Sequence, residues 1–123
     1  MADEKIIING IEYIRADLAI STAPAPQLDG MNYVMVRTDS AGVFCGYMKE
    51  RNGQEVTLLK ARRIWYWEGA ATLSQLAREG TKKPKECKFP CEVNEILLLD
   101  AVEILNMTER AQKSIAEVPV WGA

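Results

Sequence analysis

The stretch at residues 62–71, RRIWYWEGAA, carries the side chains best suited to bind a ligand. On a β-strand, successive side chains point to opposite faces, so one arginine and two tryptophans of this stretch would share a face. Guanidinium and indole groups stack on nucleobases, and each such contact is worth about 1–3 kcal/mol. Lysines of the following basic loop would neutralise a phosphate. The predicted ligand-binding residues are Arg63, Trp65, Trp67, Lys82, Lys83 and Lys85, and the predicted ligand is a small anionic or nucleotide-like molecule.

The same residues allow two other interpretations. Tryptophans are large hydrophobes that dominate protein cores, so the indoles of Trp65 and Trp67 would also serve to cover one face of the sheet. A lysine run with glutamates among it is commonly only a solvated loop. Tryptophan, tyrosine and arginine are also enriched at protein interfaces, which makes this stretch a candidate docking surface for a host protein.

The sequence contains no histidine among its 123 residues. This absence removes the commonest general base and the commonest metal ligand, and it excludes serine–histidine and cysteine–histidine nucleophiles. No phosphate-binding glycine loop and no dinucleotide-binding glycine motif is present. We therefore expect a protein that is not an enzyme, with no catalytic residue and no cofactor.

Three cysteines, Cys45, Cys87 and Cys91, are the remaining candidates for metal chemistry. A structural zinc site takes four ligands, which these thiols would complete with a carboxylate such as that of Glu86. Free cysteines are more often small buried hydrophobes. The sequence therefore predicts no metal site, with the zinc set as the alternative.

Length and charge narrow the class of protein further. The 123 residues suffice for one domain, and 48% of them are hydrophobic, which excludes a disordered chain. No apolar run approaches the roughly 20 residues that span a bilayer, and the first residues lack a signal-peptide pattern. A net charge of −2 argues against general nucleic-acid binding, which depends on phosphate neutralisation. We expect a cytoplasmic protein without a membrane partner.

Residues 1–16 are predicted to form a β-hairpin, because two short β-branched runs flank Asn9 and Gly10. Residues 17–30 are predicted to form a linker, because their alanines and prolines disfavour helix and stiffen the chain. An isolated hairpin is marginally stable in water, so its isoleucines need to dock on the main domain or on another copy of the chain. The hairpin therefore favours a homo-oligomer.

The body of the protein is predicted to be a single α+β domain over residues 31–123. Its first half contains apolar or alternating runs separated by turn residues, a pattern typical of consecutive antiparallel strands. Gly46 indicates a bulge or a close approach to the backbone within the second strand. The four predicted strands are Asn32–Thr38, Val43–Glu50, Glu55–Ala61 and Arg62–Glu68.

In the second half of the body, the spacing of apolar residues first changes to that of a helix. A capping residue at Thr72 and a terminating glycine at Gly80 predict a short helix between them. A second helix is predicted over Glu109–Glu117 with Thr108 as its cap, and residues 118–121 are predicted to form an edge strand. The expected fold is an antiparallel β-meander sheet or small open barrel covered by one or two short helices, with the hairpin as an extension.

Several motifs carry a resemblance to a known group of proteins: NYVMVRTDSAGVFCGY, ARRIWYWEGAATLSQLAREG and KPKECKFPCEV, followed by VPVW. Over residues 31–121 they resemble a family of small uncharacterised accessory proteins of tailed phages and prophages. The segment INGIEYIRAD resembles a leader on other small phage proteins. The resemblance implies no activity and no site residue, but it implies synthesis in the host bacterial cytoplasm during infection.

By analogy, small accessory phage proteins without catalytic residues act by binding. We therefore expect a non-catalytic binding protein that sequesters a small anionic or nucleotide-derived ligand, as a counter-defence protein would. Two alternatives stay open. One is an inhibitor that binds a host protein through the same aromatic stretch, and the other is an assembly or structural component of the phage.

Overall fold

A computed structural model describes residues 23–122, so the predicted hairpin at 1–16 lies outside the described residues. The described part contains an antiparallel five-stranded sheet with the strand order β4-β3-β2-β1-β5, together with two short helices. The predicted α+β fold class is confirmed. The elements are β1 (Tyr33–Thr38), β2 (Val43–Asn52), β3 (Glu55–Ile64), α1 (Leu73–Glu79), β4 (Val93–Leu98), β5 (Ala101–Asn106) and α2 (Glu109–Ala116), with a 3-10 helix at Pro84–Glu86.

The sheet is strongly curled, because its two edge strands follow each other directly in the chain. Only Leu99 and Asp100 separate β4 from β5. In a flat sheet with strands about 4.8 Å apart, the two edges would lie roughly 19 Å from each other. Three steps along the chain span at most about 11 Å. The connection instead contacts both the turn between β2 and β3 and the residue that follows β1: the Ala101 amide donates to the Gln54 carbonyl and the Asp39 amide donates to the Asp100 carbonyl, both at 3.0 Å.

The curled sheet has a separate hydrophobic core on each face. The inner core lies on the concave side and comprises Val34, Val36, Phe44, Val56, Leu58, Ala61, Leu98 and Ala101. The outer core lies between the opposite face and the two helices, and it includes Met35, Cys45, Ile64, Leu76, Phe89, Ala111 and Ile115. Because β1 contributes to both cores, its residues from Val34 to Val36 are completely buried.

The ends of both helices agree with the capping residues predicted from the sequence. The Thr72 hydroxyl accepts a hydrogen bond from the Gln75 amide at 3.1 Å, and Gly80 ends α1 with a φ of 78°. The Thr108 hydroxyl accepts from the Ala111 amide at 3.0 Å at the start of α2. These bonds satisfy backbone donors that the first turn of a helix leaves unpaired.

The predicted third and fourth strands form one strand, β3, which ends at Ile64 instead of continuing to Glu68. Near the junction of the two predicted strands, β3 has a β-bulge at Lys60, whose φ of 52° is unusual for a residue other than glycine. The prediction for Gly46 is confirmed. It lies opposite the bulge, where a Cβ would be 2.9 Å from the Leu59 carbonyl oxygen.

The bulge decides which face of the sheet each later residue of β3 occupies. Before the bulge, Val56 and Leu58 belong to the inner core; after it, Ala61 belongs to the inner core and Ile64 to the outer core. Without the extra residue, strict alternation would turn Arg62 toward the inner core. The bulge therefore directs Arg62 toward the helices.

Arg62 is the main polar contact between the sheet and the carboxy-terminal part of the described chain. The residue is 8% exposed, and burial lowers the pKa of its guanidinium. Ile115 lies in the last turn of α2, at the end of the helix that carries partial negative charge, and its carbonyl also accepts from the Val118 amide at 3.1 Å. The guanidinium donates to the carbonyls of Pro90 (3.0 Å), Ile115 (2.8 Å), Phe89 (3.2 Å), Val118 (2.8 Å) and Pro119 (3.3 Å).

The second part of the predicted linker lies against the body. The Ala25 amide donates to the Met107 carbonyl at 3.0 Å, and the Glu109 amide donates to the Ala23 carbonyl at 2.9 Å. Residues 23–25 therefore contact the chain where α2 begins. Between residues 23 and 122, no helix has the length and apolar character needed to cross a membrane.

We predict that Arg62→Met lowers the free energy of unfolding by about 3 kcal/mol, because buried carbonyls lose a charged donor. Arg63→Met is the matched control, since within residues 23–122 the Arg63 side chain makes a single hydrogen bond, to the Ala41 carbonyl. For this control variant, the free energy of unfolding is expected to fall by about 1 kcal/mol. Urea unfolding followed by circular dichroism measures both, and equal midpoints for the two variants would contradict the role of Arg62.

We predict that substitutions of Gly46 on β2 and of Lys60 on β3, which face each other at the bulge, have different effects on the free energy of unfolding. Gly46→Ala is expected to lower the free energy of unfolding by about 1–3 kcal/mol, because the new methyl group meets backbone atoms that cannot move independently. Lys60→Asn is expected to leave the free energy of unfolding unchanged or to raise it, since asparagine tolerates a positive φ better than lysine. Thermal unfolding compares the variants; a stable Gly46→Ala protein would refute the close approach.

Candidate functional site

Three chain segments meet beside the sheet and carry a cluster of exposed aromatic side chains. Tyr66 and Lys88 exchange backbone hydrogen bonds of 3.2 and 2.8 Å, and the Trp121 amide donates to the Phe89 carbonyl at 3.0 Å. Lys88 and Phe89 therefore form the middle segment, with residue 66 on one side and residues 120–121 on the other. We call the surface formed by Trp65, Tyr66, Lys88 and Trp121 the aromatic platform.

The indoles of Trp65 and Trp121 stack on each other. Their ring centroids are 4.8 Å apart and their planes differ by 8°. Trp65 is nonetheless 56% exposed and Trp121 45% exposed. Because each ring covers the inner face of the other, the exposed part of each indole lies mainly on its outer face and edges. The pair therefore presents flat aromatic surface to solvent.

Lys88 lies beside the stacked pair. Its Nζ is 5.7 Å from the Trp65 ring centroid and 5.8 Å from that of Trp121, and it is 5.6 Å from the Tyr66 ring. A point equidistant from two stacked rings lies at their edges, so the ammonium leaves the outer faces of the indoles uncovered. The platform thus combines aromatic surface with a positive charge at its edge.

Tyr66 is fixed at the margin of the platform. Its hydroxyl donates a hydrogen bond to the carboxylate of Glu68. This bond raises the pKa of Tyr66, because ionisation would remove the donated proton and place two negative charges together. Tyr66 is 41% exposed and remains a neutral phenol near pH 7.

The prediction that Arg63, Trp65 and Trp67 share one face is wrong, because β3 ends at Ile64 and the alternation does not continue beyond it. The Arg63 guanidinium lies 4.4 Å from the ring centroid of Phe44, an inner-core residue. Trp67 packs against the outer core, and its indole N–H donates to the Ala70 carbonyl at 3.3 Å. Of these three residues, Trp65 alone belongs to the platform.

The predicted phosphate-binding lysines are exposed on the loop that leads to Lys88. Lys82 and Lys83 precede the 3-10 helix, and Lys85 lies within it. The Lys82 amide donates to the Gly69 carbonyl at 3.3 Å, which holds the loop beside the residues that follow Trp67. Within residues 23–122, Lys88 is the lysine that lies within cation–π distance of the indoles.

Sequence reasoning missed Lys88 and Trp121 as site residues. Trp121 was predicted to lie on an edge strand; the segment makes one parallel bridge, between Val120 and Phe89. Trp65, which stacks on Trp121, is distant from it in the chain, so no local spacing connects the two tryptophans. The VPVW motif was the available signal, because it places an indole beside apolar residues.

The three cysteines do not come together with Glu86 as a zinc site. Cys45 is completely buried in the outer core, where burial raises the pKa of its thiol. Cys87 is buried and 3.5 Å from the Glu68 and Lys83 carbonyl oxygens, whereas Cys91 is exposed. In the described part of the chain, no three cysteine, aspartate or glutamate residues are placed to share a metal ion.

We predict that the two central tryptophans respond differently to truncation. Trp67→Ala is expected to lower the free energy of unfolding by about 2–3 kcal/mol, because the side chain packs on the outer core. Trp65→Ala is expected to cost about 1 kcal/mol, since it loses mainly the stack with Trp121. Urea unfolding measures both, and an equal loss of stability would contradict these positions.

Comparison with other proteins places the chain in a family. No curated protein and no solved structure matches it. The family model described as a domain of unknown function, DUF6948, matches residues 31–115. This match covers all five strands and nearly all of α2, and it includes Trp65 and Lys88 of the platform. The chain therefore belongs to the DUF6948 family.

Proposed function

We propose that the protein is a non-catalytic binding protein that holds a nucleotide-type anion on the aromatic platform. The observation that carries this proposal is the stacked indole pair of Trp65 and Trp121, about half of which stays in contact with solvent. A third planar ring on an outer face would extend the stack. Base–aromatic stacking contributes about 1–3 kcal/mol per base and tolerates any base.

The charges beside the platform support an anionic ligand. Lys88 lies at the edge of the stack, where its ammonium can approach a phosphate without displacing a base from the indole face. Lys82, Lys83 and Lys85 are exposed on the same loop. The chain as a whole has a net charge of −2, so this loop is a local concentration of positive charge. Such a patch favours a small anion over a long duplex.

The backbone around the platform supports binding by a preformed surface. The Trp121 amide is bonded to the Phe89 carbonyl, and Lys88 is bonded to Tyr66 on the other side. The segment is also held by the bonds from Arg62 to Val118 and Pro119. A surface ordered before the ligand arrives loses less conformational entropy on binding.

The biological setting is part of the same proposal. The resemblance to accessory proteins of tailed phages favours a protein made in the host bacterial cytoplasm that sequesters a nucleotide-derived defence signal. The hairpin that the sequence predicts over residues 1–16 would favour a homo-oligomer, in which several platforms would act together. Sequestration needs no catalytic group, which agrees with a sequence that lacks histidine.

A second candidate function is inhibition of a host protein through the platform. The specific observation in its favour is the exposed apolar surface next to the indoles, which includes Val120 at 47% exposure. Tryptophan and tyrosine at the centre of such a patch are typical hot spots of protein interfaces. The two functions use the same residues and differ in the partner.

We predict that AMP and ATP quench the tryptophan fluorescence of the protein in a saturable manner. The Trp65→Ala and Trp121→Ala variants should weaken the affinity by about tenfold or more, which corresponds to loss of one stacking contact. Lys88→Gln should lower the affinity for ATP more than the affinity for adenosine, because the substitution removes a positive charge that would face the phosphates. Lys49→Gln is the matched control, since Lys49 is an exposed lysine that lies near Glu95.

Equal affinity of the wild type and a folded Trp65→Ala/Trp121→Ala protein for ATP would overturn the platform as the nucleotide site. Absence of quenching in the wild type would overturn the nucleotide itself. In that case, a bacterial protein retained after nuclease treatment and dialysis by the wild type, and not by the double variant, would favour the second function.

A further inference from the structure

A cavity of about 280 Å³ lies between the sheet and the carboxy-terminal segment. Its polar lining consists of Tyr33 on β1, Lys60 and Arg62 on β3, and Glu92, which precedes β4. Its apolar lining includes Val118 and Val120. The cavity is distinct from the aromatic platform, and the inference drawn from it does not depend on nucleotide binding.

The charges that line the cavity favour a monoanion. Arg62 and Lys60 contribute two positive charges and Glu92 contributes one negative charge. Arg62 is surrounded by carbonyl groups, and within residues 23–122 no carboxylate forms an ion pair with it. Its Nη1 carries two hydrogens and donates to one acceptor, the Ile115 carbonyl. One N–H of a buried cation therefore remains for another acceptor.

The hydroxyl of Tyr33 supplies a further donor. The Tyr33 ring packs edge-on against Tyr47 with centroids 5.0 Å apart, whereas its hydroxyl has no hydrogen-bond partner among the described residues. Burial raises the pKa of Tyr33, so the phenol stays protonated near pH 7. Polar groups in partly buried positions normally find partners. A ligand oxygen in the cavity would satisfy this hydroxyl.

Lys60 occupies the rim of the cavity in a strained conformation. Its φ of 52° lies in the left-handed region, which a residue other than glycine or asparagine adopts at a cost in free energy. Strain of this kind clusters at ligand sites, where the surrounding structure maintains it. A lysine at this position brings a positive charge to the cavity.

We propose that the cavity binds a small monocarboxylate with a short branched apolar tail. The carboxylate accepts hydrogen bonds from the Tyr33 hydroxyl, the Lys60 ammonium and the remaining N–H of Arg62. The tail packs on Val118 and Val120. A cavity of this size lies just below the range of about 300–1,000 Å³ typical of drug-sized ligands, so it fits a small acid better than a nucleotide.

The experiment is an NMR titration of the full chain with isovalerate. We expect saturable shifts of the Val118 and Val120 methyl signals and of the Tyr33 ring, with a Kd on the order of 1 mM for so small a ligand. Isovaleramide has the same shape without the charge and should bind at least about tenfold more weakly. Inorganic phosphate, which lacks an apolar tail, should also bind more weakly.

Two variants separate ligand binding from folding. Tyr33→Phe should weaken isovalerate binding by about five- to tenfold while leaving the urea midpoint unchanged, because the hydroxyl has no partner among the described residues. Lys60→Asn should weaken binding to a similar degree and remain folded. Lys49→Gln should bind as the wild type does, because Lys49 does not line the cavity.

Any of three results would overturn the proposal: no saturable shift with isovalerate, equal affinity for isovaleramide, or an unchanged affinity in Tyr33→Phe. A Tyr33→Phe protein that binds normally but unfolds at lower urea would assign the hydroxyl to the stability of the fold instead.

Discussion

The guanidinium of Arg62 connects parts of the chain that are far apart in sequence. From β3 it donates to carbonyls at the end of the lysine loop, in the last turn of α2 and in the segment that follows α2. A buried charge is stable only where several polar groups replace the water it has lost. Five carbonyl groups provide that replacement here. The positions of the platform and of the cavity both depend on this interaction.

The backbone geometry of two neighbouring strands brings Arg62 to this position. Gly46 allows the backbone of β3 to approach closely, and Lys60 forms the bulge that adds one residue to β3. The extra residue turns Arg62 toward the helices, where it holds residues 118–119. Trp121 then reaches Trp65 and stacks on it. A local irregularity of the sheet thus determines the position of an exposed aromatic pair.

The sequence predicted the features that depend on nearby residues. The capping residues Thr72 and Thr108 and the close approach at Gly46 follow from local patterns, and the structure contains each of them. The first two strands of the meander also agree with the prediction, whereas the predicted third and fourth strands are one strand. The prediction that Arg63 and Trp67 share a face was wrong because alternation holds only within a strand, and the end of β3 depends on distant contacts. Pairing of Trp65 with Trp121 depends on the Phe89 backbone, which no spacing in the sequence reveals.

The measurement that tests the central claim most directly is the exciton couplet of stacked indoles in far-ultraviolet circular dichroism. The wild type should show a couplet from Trp65 and Trp121, and Trp121→Ala should lack it. Arg62→Lys keeps the charge but has fewer donors than the five carbonyls require, so the couplet should weaken strongly while the protein remains folded. A couplet of unchanged strength in folded Arg62→Lys would contradict the claim that Arg62 positions the aromatic pair.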